Sequence, residues 1–390
     1  MRPIRPANGV AGYQPSEFRA AVIAAARAEG AAAVRIASAE PDAATFERMR
    51  DAFARGDHAT WEFCEEYARK ASDPAYVLSG AQSVICCAFP YATAGPLPTR
   101  GRGRVSAYAW SNDYHGRVHG ALRRIARRID ALAGAEVTRA VIDTAPLAER
   151  AFAARAGLGW VGKHTGLIVK GVGGAVYLGE IVTTLALAPD AAVKTSCGSC
   201  TRCVDVCPTG ALRGDSTIDA TLCISDLTQR SDDIPVALRP LLGTWIWGCD
   251  LCTDACPPTR LAGLRGGPAD RPRSEETAAP ALEELLRSNG SQFRSKYRRS
   301  GMGWRGHAVL RRNAAVALGN TLDRAAIPAL GAALADDRSA MVRGHAAWAL
   351  GRLGGAQAYD VLSRAMADEG DAGVRSEIRA ALEPLPSFGR

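Results

Sequence analysis

Apolar positions along the chain fall into short runs and helical stripes that alternate. Residues 16–37, SEFRAAVIAAARAEGAAAVRIA, open on a serine and continue rich in alanine, which predicts a capped helix leading into a strand. FERMRDAFARGDHATWEFCEEYARK reads as helical pieces. Continuous apolar runs predict strands at Ser83–Phe89, Glu136–Asp143, Gly166–Gly171 and Tyr177–Thr184. The stripe of YHGRVHGALRRIARRIDALAG predicts a helix between two of them, and its Arg123, Arg124, Arg127 and Arg128 read as a solvated face. This alternation predicts an α/β domain over residues 1–190.

Toward the C-terminus the pattern becomes periodic. VLRRNAAVALGN (309–320) returns as MVRGHAAWALGR (341–352), 32 residues on, and VRSEIRAALEPL (374–385) follows at 33. Each unit pairs an Ala/Leu-rich helix with a second one, such as AAIPALGAALAD or QAYDVLSRAMAD. That predicts an α-solenoid of HEAT-like repeats over 280–390, whose stacked units present a long face. AGLRGGPADRPRSEETAAP (262–280), rich in Pro, Gly and charge, reads as a loop or boundary before it. Residues 191–265 form a cysteine-rich segment between the two. The predicted fold class is a multidomain α+β or α/β chain: an α/β domain, a small ferredoxin-like module and an α-solenoid.

Composition adds limits. With 47% hydrophobic and 23% charged residues the chain has the make-up of a soluble globular protein. The most apolar stretch, GLIVKGVGGAVYLGEIVTTLALAP, carries Lys170 and Glu180 and so does not read as a membrane span. No signal peptide is visible, and a reducing cytoplasm is the expected location. Thiols there more often bind metal or do chemistry than form disulfides.

Eleven cysteines are present, and four of them crowd into CGSCTRCVDVCPTGAL, as Cys197-x2-Cys200-x2-Cys203-x3-Cys207-Pro208. This is the bacterial ferredoxin spacing, in which the fourth cysteine ligates the other cluster. Three thiolates on one tight loop reach three irons of one cubane, and the proline turn carries the fourth away. A second run, Cys249-x2-Cys252-x3-Cys256-Pro257, is one cysteine short, with Ile246 where the first would stand. Cys223 is available to complete it. The expected ligands are therefore Cys197, Cys200, Cys203 and Cys256 for one [4Fe–4S] cluster and Cys207, Cys223, Cys249 and Cys252 for the other. A pair of zinc sites, each held by four cysteines, is the alternative, but zinc favours separated C-x2-C knuckles. Cys86 and Cys87, in SVICCAFPY, read as small core residues.

Charge is uneven. Residues 291–312 hold Arg294, Lys296, Arg298, Arg299, Arg305, Arg311 and Arg312 with no Asp or Glu, and interleave Phe293, Tyr297 and Trp304. Basic side chains neutralise phosphates and aromatic rings stack on bases, so this stretch suits nucleic acid; a solvated repeat cap is the plainer reading. GLGWVGKHT nearly spells a phosphate loop, but His164 stands where a Ser or Thr would hold magnesium, so no nucleotide site is expected. Its glycines still permit a large ligand to approach the backbone closely. Asp143 ends an apolar strand before Thr144 and Pro146. Partial desolvation there would raise its pKa toward that of a general acid. An N-cap or turn role before PLAERAFAARAG is the other reading.

Together VIDTAPLAERAFAARAGLGWVGKHT, SNDYH (111–115), the two cysteine runs and RRNAAVALGN resemble the epoxyqueuosine reductase family, in order over nearly the whole chain. Three residues, at two motifs, depart from the family pattern. Ser111-Asn112 replace its Gly-Arg/Lys before Asp-Tyr-His, and His164 replaces the Asn of its GKN. The acidic and lysine positions are kept. The resemblance implies a cobalamin-dependent two-electron reduction of an epoxide on the wobble nucleotide of tRNA. Cobalamin would sit in the α/β domain, and the clusters would be fed by an external one-electron donor such as a flavodoxin or ferredoxin system. It implies Asp143 as proton donor beside the cobalamin, Asp113 and Arg150 as substrate contacts, and Ser106, Lys163 and Ser225 as cobalamin contacts. tRNA would lie on the solenoid, with Lys296, Arg298, Arg299, Arg311 and Arg312 near its phosphates. Two rival readings share parts of this pattern. One is a cytoplasmic corrinoid reductive dehalogenase-like enzyme, for which a basic solenoid has no obvious use. The other is a non-catalytic iron–sulfur electron-transfer scaffold, which would lack cobalamin.

Overall fold

The structure, a computed structural model, describes residues 15–59, 63–93, 95, 98–264 and 274–383. The middle of the expected 262–280 loop, the N-terminal stretch expected to lack a signal peptide and the last residues of the third repeat lie outside the described residues. Contacts divide the chain into two compact units. One comprises residues 1–94, 113–221 and 251–270; the other comprises 95–112, 222–250 and 271–390.

The first unit is built on a four-stranded sheet in the order Ala33–Ser38, Ser83–Pro90, Val176–Thr183, Thr138–Val141. Every pairing is antiparallel, with Ser38 opposite Ser83, Ser83 opposite Thr183, and Val141 opposite Glu180. The alternation of strands and helices pointed to an α/β domain, so the antiparallel sheet moves this unit to the α+β side. Each face carries helices. Helix Tyr114–Ala133 buries Val118, Leu122, Ile125 and Ile129 and leaves Arg123, Arg124, Arg127 and Arg128 in solvent, so those arginines are the expected solvated face. It sits so close to the sheet that a Cβ at Gly179 would fall 2.5 Å from Leu122 Cδ1. Helix Glu149–Arg155 covers the opposite face, where Phe152 and Ala153 join Val84, Cys86, Ala88 and Val182 in one apolar cluster. Cys86 and Cys87 are wholly buried strand residues, as expected.

The glycines of GLGWVGKHT serve packing. A Cβ at Gly157 would sit 2.1 Å from the Ala191 carbonyl oxygen, and one at Gly159 would sit 2.0 Å from that of Ile168. Backbone, rather than a ligand, occupies the space they leave.

In the second unit the repeats appear as helices His307–Thr321, Ala340–Leu353 and Ala372–Leu382, alternating with Ile327–Asp336 and Ala356–Asp368. The glycine of the repeated ALG triplet marks where successive repeats touch. A Cβ at Gly319 would lie 2.9 Å from Ala349 Cα, and one at Gly351 would lie 2.7 Å from Ala381 Cβ. A rung of ion pairs repeats at the same spacing: Arg311 with Asp337, then Arg343 with Glu369 at 2.7 and 2.9 Å.

The two units do not follow the linear boundaries expected at 190, 265 and 280. Segment 222–250 belongs with the solenoid because the first repeat helix grips it. Arg312 donates to the carbonyls of Leu227, Arg230 and Asp232, and Asn313 Nδ2 donates to those of Thr228 and Ile246 at 2.7 and 2.8 Å. Arg239 adds a bidentate pair with Glu377 at 2.6 and 2.9 Å. A short parallel pairing of Arg104–Val105 with Trp245–Trp247 ties residues 95–112 to that segment.

Candidate active site

Asp143 follows strand Thr138–Val141 in a turn that closes when Ala145 N–H donates to the Ile142 carbonyl at 2.8 Å. Helix Glu149–Arg155 begins later and is capped at Ala148, so Asp143 is not an N-cap. Its carboxylate faces the start of helix Tyr114–Ala133 instead. Tyr114 Oη–H donates to its Oδ2, and His115 Nε2 lies 3.1 Å from its Oδ1. Asp113 is the N-cap of that helix, accepting the His115 N–H at 3.1 Å, and takes His115 Nδ1 at 2.5 Å. One imidazole thus bridges two carboxylates. Tyr114 is fixed from behind by stacking on Tyr177 at 4.4 Å and 11°, and Arg117 lies over that Tyr177 ring.

The electrostatics follow from this bridge. The hydrogen bond to Asp113, and then that to Asp143, raise His115 from 6.5 to about 10, so it is an imidazolium at neutral pH. Its bond to Asp113 likewise holds that carboxyl below the usual range. Burial pushes Asp143 upward, as its sequence context suggested. The hydrogen bonds from His115 and Tyr114 outweigh burial, and the net shift is downward. The expectation of a raised Asp143 is therefore corrected: Asp143 is a carboxylate with two acidic hydrogens already pointed at it. Its side chain stays 41% exposed, open to a ligand.

Arg150 leaves the next helix and gives Nη1 to the Thr165 carbonyl at 2.8 Å. Thr165 holds a left-handed φ of 66°. Lys163 donates to the Gly198 carbonyl at 3.0 Å and so braces the first cysteine loop. Ser106 is 2% exposed, and its hydroxyl is spent on Asp250 Oδ1 at 2.5 Å, so it offers no free donor to a cofactor. Ser225 accepts Gln229 Nε2 at 3.1 Å.

Of the first cysteine set, Cys203 responds to the charges of Cys197 and Cys256, and Cys256 to those of Cys197 and Cys200. The four thiols share one neighbourhood although Cys256 is distant in sequence. Burial raises Cys207, but Thr209 and the amides of Thr209, Ala211 and Leu212 bring it below its usual value, which favours the ligating thiolate.

The basic stretch divides. Arg312 has no exposure at all and is a structural clamp, and Arg311 is the first rung of the repeat ladder. The placement of both near phosphates is corrected, because their charges are consumed inside the solenoid. Lys296 is exposed and pairs with Glu284 at 3.3 Å, while Arg298 and Arg299 are exposed. Phe293 and Tyr297 are buried; Trp304 is exposed, with Arg305 over its ring at 4.0 Å.

A model described as the 4Fe-4S double cluster binding domain matches residues 196–259, and one described as HEAT repeats matches 305–383. A third, described as epoxyqueuosine reductase QueG, DUF1730, matches 72–144. Epoxyqueuosine reductase of Bacillus anthracis is 35% identical over 324 residues, covering 81% of this chain and 84% of the relative. The chain belongs to the epoxyqueuosine reductase family. The structure of epoxyqueuosine reductase from Streptococcus thermophilus agrees, with a TM-score of 0.84 at 29% identity over 93% of this chain and 98% of the other. A crystal structure of epoxyqueuosine reductase with a tRNA-Tyr epoxyqueuosine-modified tRNA stem loop has a TM-score of 0.87 at 29% identity, over 95% and 99%. As a family member the chain is an oxidoreductase with a double [4Fe–4S] domain and HEAT repeats. No helix among the described residues is long and apolar enough to cross a membrane.

Sequence reasoning passes over four residues. Tyr114 and His115 stand out only as part of SNDYH, although a His two residues after an Asp N-cap can fold back on it. Glu149 and Glu180 draw no site reading. The signal for Glu180 is a lone carboxyl inside an otherwise apolar strand.

Proposed function

We propose that this protein reduces epoxyqueuosine to queuosine at the wobble position of tRNA, with Asp143 delivering the proton to the departing epoxide oxygen. The observation that carries the reading is the Asp113–His115–Asp143 bridge with Tyr114 on the same carboxylate. Opening an epoxide builds negative charge on its oxygen, and a positioned acid that protonates it lowers the barrier. Asp143 receives that proton from the His115 imidazolium along the existing hydrogen bond and passes it to substrate. Asp113 keeps the imidazole charged and oriented, and with Arg150 it contacts the modified nucleotide.

Cys197, Cys200, Cys203 and Cys256 hold one [4Fe–4S] cluster; Cys207, Cys223, Cys249 and Cys252 hold the other. An external one-electron donor of the flavodoxin or ferredoxin class loads them. The corrinoid belongs to the first unit. Two buried donors there, Trp160 Nε1 and His164 Nε2, have no partner among the described residues and suit the amide-fringed rim of a corrin. When bound, cobalamin supplies the low-valent cobalt that carries two electrons to the epoxide. Arg298 and Arg299 offer the exposed charge that meets tRNA phosphates, with Trp304 nearby in sequence as an exposed ring.

The test is Asp143→Asn in the cofactor-loaded enzyme. Single turnover of an epoxyqueuosine-bearing stem-loop is expected to fall about 10²–10⁴-fold with stem-loop affinity unchanged. Wild-type turnover in this variant would return Asp143 to a structural role.

A further inference from the structure

Strand Val176–Thr183 carries Glu180 at its centre. The residue is 0% exposed, and neither of its carboxyl oxygens meets a donor from any other described residue. Side chains alternate across a strand. Gly179 faces helix Tyr114–Ala133, so Glu180 faces the other side, which helix Glu149–Arg155 covers. The first residue of that helix is Glu149. Its carboxyl meets that of Glu180, and its Oε1 is buried and has no other donor. Two carboxylates cannot face each other in a dry interior, because the desolvation of each and their mutual repulsion both favour the acid. A hydrogen bond between them exists only if one holds a proton.

We propose that Glu149 and Glu180 form a buried proton-sharing carboxyl pair that keeps a proton in store behind Asp143 and returns it when Asp143 has given its own to the substrate. The inference rests on the epoxide-reduction reading above. That reaction consumes two electrons and two protons: both carbon–oxygen bonds of the epoxide break, a carbon–carbon double bond forms, and the oxygen leaves as water. The electrons arrive singly through the clusters from the external donor. The His115–Asp143 bond supplies one proton, and the hydroxyl left after ring opening needs a second before it can depart.

The charge on Asp143 acts on Glu149 and on Glu180, so the ionised Asp143 of the resting site holds the stored proton in place, and the charge that grows on the departing oxygen draws it out through Asp143. Burial is the largest cause of the upward shift in both glutamates. The cations facing Glu149 are Arg150 on its own helix and His115 on the helix across the sheet, and both pull it down without overcoming burial. Tyr67 senses Glu149 and Asp143 from helix Glu65–Ala71, and its own burial keeps it neutral. On the neighbouring strand Cys86 and Cys87 are raised chiefly by burial and stay thiols, with Arg155 acting weakly on Cys86. None of these groups supplies a full counter-charge, so the proton is the pair's own. Both glutamates act through Asp143 and are positioning residues.

Two measurements test this. Difference infrared spectroscopy of the purified protein needs no substrate. At neutral pH the wild type is expected to show a protonated-carboxyl C=O band that Glu149→Gln and Glu180→Gln each diminish and the double variant loses. A spectrum unchanged in the double variant overturns the pair whatever the substrate proves to be. In single turnover, Glu149→Gln is expected to lower the rate about tenfold or more with stem-loop affinity kept. It should also remove the fall in rate that the pair imposes with rising pH, leaving the later one set by His115. A slower variant with the wild-type pH profile would mean that Glu149 merely supports the fold. If neither wild type nor variant turns over the stem-loop, the functional reading fails while the infrared result still decides the pair. Should Glu149→Gln not fold, Glu180→Gln carries both measurements.

Discussion

His115 shows how much one side chain can decide. Alone it would be half-charged near pH 6.5; between Asp113 and Asp143 it is held protonated to about 10. The sign of its contribution to stability follows. A raised pKa stabilises the fold fully below the unfolded value of 6.5, and the gain is lost as pH rises through about 10. The two carboxyls, shifted downward, contribute above their ordinary value of 3.8 and lose that contribution as pH falls. The bridge is therefore strongest between these limits. His115→Gln is expected to destabilise the protein by about 1–2 kcal/mol near pH 6, well under a straight conversion because partly exposed charges are screened. Urea unfolding across pH checks this: the gap between wild type and variant should close toward pH 10. A pH-independent gap would mean that His115 contributes by shape alone.

At the scale of elements, glycine does opposite things at two positions of one helix. Gly351 lies in helix Ala340–Leu353, where alanine would ordinarily gain up to about 1 kcal/mol in helix propensity. Here the added Cβ would sit 2.7 Å from Ala381 Cβ and 2.9 Å from its Cα, so helix Ala372–Leu382 must shift. Overpacking of this kind costs about 1–3 kcal/mol, so Gly351→Ala is expected to lower the melting temperature despite the better propensity. Gly344, in the same helix, would place its Cβ 3.5 Å from Glu377 Cγ, an ordinary contact. Gly344→Ala should leave the melting temperature unchanged or raise it. Thermal unfolding of the two variants side by side separates the effects. Periodicity in the sequence marks Gly351, which recurs at Gly319, but not Gly344, which aligns with Arg312; only the distance to the next repeat shows what each tolerates.

At the scale of the whole molecule, the cysteine runs tie together segments that the chain separates by some fifty residues. Cys256→Ala is expected to damage the cluster held mainly by Cys197, Cys200 and Cys203. Iron content should fall from eight toward four per chain, with one of two cubane signals lost from the EPR spectrum of the reduced protein. Eight irons with both signals intact would refute the crossed assignment. The linear chain specifies the chemistry whose signal is local: thiol spacing set by one loop, the repeat period set by helix length, and the strand and helix stripes set by burial on one face. The double-cluster domain, the HEAT repeats and the residues flanking Asp143 were all legible on that basis. Folding then settles whatever depends on which distant groups meet. Arg311 and Arg312 looked like free charge until Asp337 and three carbonyls consumed it. Asp143 looked like a raised acid until His115 and Tyr114 reversed the effect of burial. Glu180 looked like an argument against a membrane span until the fold laid Glu149 across it. A pKa or a buried charge is set by the groups within a few ångströms, and a linear sequence does not say which those are.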